Sequence, residues 1–253
     1  MLEQYLKDRR QKNEILLMTH IVLGHPHFDT SLRLVENMVQ AGVDLIELQI
    51  PFSEPMADGP VILRANQEAL AAGSTVDRCF DLATEVARRF DVPFLFMTYY
   101  NVLFRRGVSS FVARMQGSGL RGAIVPDLPP EEGAEYLSAM REAALDPIFI
   151  YSPNSNEARL KAIANHASGF VYCVARKGVT GSDTAFSVEL SSYLERARAA
   201  TSLPLAVGFG VKEKQDVDFL RGKADIAVIG SETLRVLERG GLAAVGPFLS
   251  SLR

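Results

Sequence analysis

The sequence predicts an α/β fold, a closed barrel of eight parallel strands, each followed by a helix. Three observations predict it. Eight short, near-continuously apolar runs punctuate the chain, as strands covered on both faces do. Longer amphipathic stretches separate them, and strict βα alternation implies a parallel sheet with helices outside. The 253 residues suit a (β/α)8 barrel, for which about 250 is typical, and eight repeats in that length favour closure over an open sheet.

The strand-like runs cover residues 15–22, 44–50, 94–99, 122–125, 147–151, 169–174, 203–207 and 225–229. Their shortness and their Gly, Pro or Asp flanks separate them from pieces of buried helix. An N-terminal helix over 2–11 is expected to cover the barrel bottom. The helix over 30–41 sets Leu32, Leu34, Val35, Met38 and Val39 on one side. An extra helix over 61–72 sits in the second βα connection, ahead of one over 75–90 that opens on Ser74-Thr75-Val76-Asp77. Helices over 108–117, 130–144, 156–164, 187–200, 212–221 and 231–239 complete the set. Glu131 and Glu132 fall in the first turn of 130–144, where the helix dipole favours acids. With no linker or composition shift, residues 1–253 read as one (β/α)8 TIM-barrel domain.

Composition narrows the function. Hydrophobic residues make up 47% and charged residues 23%, ordinary for a globular protein, and the net charge is −3 without a basic block. That argues against nucleic-acid or membrane-surface binding, which rest on clustered Lys and Arg. The two cysteines, Cys79 and Cys173, sit in apolar segments outside any CxxC pair and read as buried, reduced thiols. The N-terminus lacks an apolar signal core, and no run approaches the ~18 apolar residues of a membrane span. A cytoplasmic protein is expected.

In such barrels the active site lies at the C-terminal ends of the strands. Glu47 is an ionisable group inside the apolar second strand. A carboxylate buried there is costly unless paired, which makes it a candidate general acid–base. The following loop, Pro51-Phe52-Ser53-Glu54-Pro55-Met56-Ala57-Asp58-Gly59-Pro60, is acidic and proline-bounded, and folding back would bring Asp58 to the same mouth. A satisfied core glutamate and a capping aspartate is the structural alternative. Three glycine-rich turns follow late strands: Gly178-Val179-Thr180-Gly181, Gly208-Phe209-Gly210 and Gly230-Ser231. Glycine lets backbone N–H groups approach an anion, and barrels commonly hold phosphate after strands seven and eight. Ordinary left-handed turns are the alternative. His20, His25 and His27 cluster in sequence, but no HExxH or similar signature accompanies them, so no metal site is expected. GxGxxG after the first strand and the GxSxG elbow are both missing.

The run from Glu47 to Pro60, ELQIPFSEPMADGP, resembles the signature of the tryptophan synthase α-subunit family, usually ELGxPFSDPxADGP. Further blocks match in order. They are Met97-Thr98-Tyr99-Tyr100-Asn101, Gly122 through Val125-Pro126-Asp127-Leu128-Pro129-Pro130, Gly169-Phe170-Val171-Tyr172, and the three glycine turns. The resemblance implies a lyase that cleaves indole-3-glycerol phosphate to indole and glyceraldehyde 3-phosphate. It implies that Glu47 and Asp58 are the catalytic carboxylates. Tyr99, Tyr172, Thr180 and Phe209 fall at substrate positions, and Gly181, Gly210, Gly230 and Ser231 at phosphate positions. It implies no cofactor in this chain, and a pyridoxal-phosphate β subunit as partner in an αββα heterotetramer. The sequence departs from the family pattern at Gln49 (usually Gly), Glu54 (Asp), Leu63 (Gln), Val22 (Thr) and His25 (Asp). Two alternatives stay open: a weakly active paralogue that binds and activates another enzyme, and another phosphate-binding barrel enzyme acting on a related indole phosphate.

Overall fold

The computed structural model describes residues 2–175, 188–208 and 210–253. The chain opens with α1 (Leu2–Arg10), β1 (Leu16–Val22), α2 (Phe28–Gln40) and β2 (Leu45–Gln49). The second connection carries α3 (Pro60–Ala71) and α4 (Val76–Arg89), followed by β3 (Phe94–Met97), α5 (Tyr100–Arg106), α6 (Val108–Gly117) and β4 (Gly122–Ile124). Next come a 3-10 turn (Pro130–Glu132), α7 (Ala134–Glu142), β5 (Asp146–Tyr151), α8 (Glu157–Ala164) and β6 (Val171–Val174). The last elements are α9 (Val188–Ala200), β7 (Leu205–Gly208), α10 (Lys214–Leu220), β8 (Ile226–Ile229), α11 (Ser231–Gly240) and α12 (Leu242–Ser250). The strands pair in sequence order, all parallel, and β8 closes on β1. The expected barrel, its N-terminal helix and the extra helix of the second connection are all present.

Three local readings need correction. The helix expected over 130–144 is broken at Gly133 into α7 and a 3-10 turn, in which the Gly133 N–H bonds the Pro130 carbonyl at 3.2 Å in place of an α-helical bond. The strand expected to run to residue 99 ends at Met97, and Tyr99 instead caps α5. That seven-residue helix is separated from α6 by Gly107 at φ 80°, a left-handed conformation that favours glycine. Helix α12 was not anticipated. Its apolar character hid it, and it packs on α2, where the Asn37 side-chain amide donates to the Leu242 carbonyl at 2.8 Å.

Alternation along the strands divides the core in two. Leu16 and Met18 of β1, Leu45 of β2, Leu95 of β3, Ile148 of β5 and Ile226 of β8 fill the barrel interior, with Leu2 and Leu6 of α1 as a plug beneath. Residues of opposite parity, such as Leu17, Ile46, Phe96, Val207 and Ala227, pack against the helices. The parity that sends Leu16, Met18 and Leu45 inward also sends His20, Glu47 and Gln49 inward, one or two layers higher.

The lower rim is closed by aspartates at or just before strand starts. Asp44, fully buried, accepts from Arg9 Nε at 2.9 Å, from Arg253 at 2.8 Å and from the Leu17 N–H at 2.9 Å. Asp146 accepts from the Leu2 N–H at 3.3 Å and the Ser168 hydroxyl at 2.6 Å. Asp225 accepts from the Leu205 N–H at 2.8 Å and pairs with Arg10 and Arg198. These bonds tie α1 and the C-terminal Arg253 to the barrel. Replacing both Arg9 and Arg253 by Ala leaves the Asp44 charge buried without a counter-ion and should cost about 3–5 kcal/mol. Asp44→Asn, which removes the buried charge itself, should cost less. Urea unfolding of the two proteins checks the order, and a larger loss for Asp44→Asn would contradict it.

Candidate active site

The upper layer of the barrel interior is polar. β1 and β2 pair with His20 opposite Glu47 and Val22 opposite Gln49. His20 is 3% exposed, Glu47 4% and Gln49 0%, so three polar side chains are buried above an apolar floor. His20 Nδ1 lies 3.0 Å from Glu47 Oε1. The loop after β2 folds back over this layer. Asp58 Oδ2 accepts from the Gln49 side-chain amide at 2.6 Å and from the Tyr99 hydroxyl at 3.0 Å. The Ala57 N–H donates to the same tyrosine oxygen at 3.1 Å, and Phe52 stacks on the Tyr99 ring at 5.2 Å between centroids. The Phe52 N–H donates to Asn66 of α3 at 2.8 Å. The loop is therefore anchored to β2, to the end of β3 and to α3.

The electrostatics follow from burial. Burial pushes the Asp58 carboxyl above its ordinary range, helped by the Glu47 charge, against the pull of His20, Gln49 and Tyr99. For His20, burial works against the cation. The Glu47 carboxylate beside it and the Asp58 charge outweigh that, and the Gln49 amide, facing the ring without a full hydrogen bond, adds to the effect; the imidazole is raised above its ordinary value. Tyr99 and Tyr172 are raised by burial and then by the neighbouring carboxylates, so both hydroxyls stay protonated donors. Glu47 Oε2 and His20 Nε2 are buried without a hydrogen-bond partner. A buried unsatisfied group costs roughly 1–3 kcal/mol, so these atoms mark a place built for something else.

A cavity of about 790 Å³, including its open mouth, adjoins them. His20, Glu47 and Asp58 supply its polar wall, and Met97, Ile124, Ile150, Tyr172 and Val228 an apolar slot. Gly210, Lys212, Gly230, Ser231 and Arg235 enclose it beyond the ends of β7 and β8. Gly230 caps α11, so the first-turn N–H groups of that helix and its dipole are presented to the cavity. Gly210 has φ 124°. At Gly208 a Cβ would sit 2.2 Å from the Tyr172 hydroxyl, so glycine there is what lets the tyrosine stand in the slot.

Of the residues singled out in the sequence, Glu47, Asp58, Tyr172, Gly210, Gly230 and Ser231 line this one cavity. Tyr99 stands behind Asp58, reaching the site through that carboxylate. Thr180, Gly181 and Phe209 lie outside the described residues. Sequence reasoning missed His20, Lys212 and Arg235 in the site, and noted Gln49 only as a departure from the family pattern. The test that found Glu47, a polar side chain within an apolar strand, also picks out His20 and Gln49. Lys212 and Arg235 gave no such signal, since each stands among the mixed charges of a helix or its approach; Arg235 pairs with Glu232 at 3.1 Å. The departures at Val22 and His25 are buried, with His25 Nδ1 3.2 Å from Glu68, while Glu54 is exposed on the loop. Among the described residues no cluster of His, Cys, Asp and Glu is arranged to hold a metal, and no helix is long and apolar enough to cross a membrane.

The tryptophan synthase alpha chain family profile matches residues 6–244. The alpha chain of Desulforapulum autotrophicum is 62% identical over 252 residues, covering 100% of both chains, and that of Syntrophotalea carbinolica 61% identical over 253 residues with the same coverage. Among solved structures, Mycobacterium tuberculosis tryptophan synthase superposes with a TM-score of 0.93 at 30% identity, over 99% of this chain and 96% of that one. A mutant alpha-subunit from Pyrococcus furiosus gives 0.86 at 31% identity, over 94% and 97%.

The raised Asp58 has a consequence for stability. A carboxyl whose folded pKa exceeds its unfolded value favours the fold below the unfolded pKa, and that contribution is lost as pH rises through the folded one. Asp58→Asn removes the cost of burying the charge, while its amide oxygen still accepts from Gln49 and Tyr99. The variant should melt above the parent at pH 8 by a few degrees, where ~1 kcal/mol corresponds to roughly 2–4 °C. The gap should close on acidification towards about pH 4. Thermal melts at the two pH values decide it, and a variant less stable than the parent at pH 8 would contradict the sign.

Proposed function

The chain belongs to the tryptophan synthase alpha chain family, a lyase that splits indole-3-glycerol phosphate into indole and glyceraldehyde 3-phosphate, and from that premise we propose how its residues divide the work. A buried Glu47 and a half-buried Asp58 on one wall of a cavity that also offers an apolar slot and a helix N-terminus carry the assignment. The indole ring occupies the slot beside Tyr172. The phosphate meets the turns at Gly210 and Gly230 and the Ser231 hydroxyl, with Gly181 as a further ligand and Thr180 and Phe209 as substrate contacts carried by the resemblance alone. Lys212 and Arg235 add positive field at that end.

Breaking the bond next to the ring is a retro-aldol step. The ring becomes an electron sink by protonation at C3, and the side-chain hydroxyl then loses its proton as the carbon–carbon bond breaks. Glu47 gives the first proton and takes the second, so it ends each cycle as it began. The indole N–H becomes acidic in the intermediate. Asp58 accepts its hydrogen bond and offsets the positive charge that develops there, and any proton it takes goes back to the nitrogen as the ring regains its aromaticity. Tyr99 and Gln49 hold Asp58 in place by donating to its Oδ2.

Glu47→Gln should reduce turnover of indole-3-glycerol phosphate by roughly 10²–10⁴-fold, the worth of one acid–base group, while inhibition by glycerol phosphate persists and plain glycerol remains ineffective. Near-parental turnover in the folded variant would remove Glu47 from the mechanism. Equal inhibition by the two glycerols would remove the phosphate site.

The partner reading is a tryptophan synthase β subunit carrying pyridoxal phosphate, in an αββα assembly. Met56, two residues before Asp58 on the loop after β2, and Phe104, on α5, are large apolar side chains 74% and 65% exposed. Docking on them shifts the Asp58 loop towards its competent state. A competent fraction of about 1–10% in the free chain leaves room for roughly 10–100-fold activation. Turnover titrated with β subunit measures this. No change in rate, with no complex at micromolar concentration, would make the chain a free-standing lyase.

A further inference from the structure

His20 is the inward neighbour of Glu47 across the β1–β2 pairing, and its ring meets the carboxylate at 3.0 Å in a place only 3% exposed. A buried glutamate needs a partner, and a neutral donor such as an amide would satisfy it. An imidazole does more, because it can hold a proton of its own near neutral pH. We propose that His20 is a positioning residue that shares a single proton with Glu47, so that the pair, rather than the glutamate alone, is the acid–base unit of the cleavage. This rests on the assignment of Glu47 above.

The cycle balances on that one proton. At rest it lies between His20 Nδ1 and Glu47 Oε1. It leaves through Glu47 to the C3 carbon of the ring. The proton released by the side-chain hydroxyl returns to Glu47 as the carbon–carbon bond breaks, and the pair is restored. Glu47 Oε2 is buried and without a partner at rest, so a half-turn of the carboxyl, once Oε1 has taken the proton from the ring, brings the protonated oxygen to the reacting atoms and Oε2 to the ring. The surroundings keep the proton on the pair. Asp58 faces it from the loop after β2, Tyr172 from β6 stays a neutral phenol, and Gly230 approaches the His20 Cβ to within 4.0 Å of where its own Cβ would be. Lys212, Glu232 and Arg235 line the same cavity as more distant charges. The raised imidazole agrees with this geometry.

Two variants and one spectroscopic measurement test the pair. His20→Leu removes both bond and proton. It should lower kcat roughly 10–100-fold, leave KM within about threefold, and shift the alkaline limb of the kcat–pH profile downward by about a unit, since that limb belongs to the pair. His20→Asn restores a neutral donor to Glu47. It should recover part of kcat at low pH and keep the shifted limb. Recovery of both rate and parental limb by His20→Asn would reduce His20 to a hydrogen-bond donor and overturn the proposal. Nitrogen NMR of the histidines in the unaltered enzyme needs no variant to fold. His20 should remain protonated at pH 7 and become neutral there in Glu47→Gln, and a neutral His20 in the unaltered enzyme at pH 7 also overturns it. The two readings fail separately. An active Glu47→Gln removes the glutamate assignment, whereas an inactive Glu47→Gln beside His20 variants of parental rate and pH profile removes only the pairing.

Discussion

Putting two carboxylates into one low-dielectric cavity is the constraint around which the upper half of this barrel is organised. Removing a single charge from water costs several kcal/mol even after relaxation, and two like charges add their repulsion. Each compensation is visible in the structure. Glu47 is met by a histidine from the adjacent strand, and Asp58 by two donors from different elements. The strand register is what allows it. A one-residue slip of β2 would turn Glu47 and Gln49 towards the helices and Ile46 and Leu48 into the interior.

The two ends of the barrel treat buried charge differently. At the lower rim Asp44, Asp146 and Asp225 are satisfied by backbone N–H groups, hydroxyls and arginines. Each of these carboxylates has its partners, although Arg10 Nη1 stays without one, and the result is mechanical: helix and C-terminus are fastened to the strands. At the upper rim Glu47 Oε2, His20 Nε2 and Gln49 Oε1 are buried without partners. The fold tolerates their desolvation because the lower rim and the two apolar layers supply the stability. Pre-set polar groups in a dry cavity cost free energy when the cavity is empty and act without reorganisation when it is filled.

The barrel was legible because its signal is redundant: eight strands with continuous apolar runs and eight connecting helices of one period reinforce each other. The misreadings fall where a local rule had no redundancy. Tyr99 continues an apolar run and so read as strand, yet only the fold shows that its backbone already turns into α5. Helix α12 is too uniformly apolar to show a helical face, and its burial against α2 is a tertiary fact. In the site, Glu47 and Asp58 were legible as isolated acids at a strand and its loop. His20 was visible too, but its meaning depends on Glu47 across the sheet, a contact between residues 27 apart. Lys212 and Arg235 were not legible, since exposed-looking basic residues near helix starts carry no mark of which way they face.

Gln49 links the site to the partner reading. The family pattern has glycine there, with no side chain to reach the loop. Here the amide roots Asp58 on β2 while Tyr99 roots it at the end of β3, so its position is set by the rigid part of the barrel rather than by the loop tip. What a docking partner can still move is narrower: Met56 and Glu54, both exposed, and through them Ala57, whose N–H is bonded to the Tyr99 hydroxyl. Communication from the surface to Asp58 then runs along the loop backbone, where the Asp58 N–H donates to the Pro55 carbonyl at 2.9 Å, and through a tyrosine oxygen that accepts from the loop and donates to the carboxylate. A push on the tip that breaks the Ala57 bond leaves that oxygen free to strengthen or loosen its hold on Asp58, while Gln49 keeps the carboxylate from swinging away. The same substitution that steadies the free enzyme thus limits how much a partner can add.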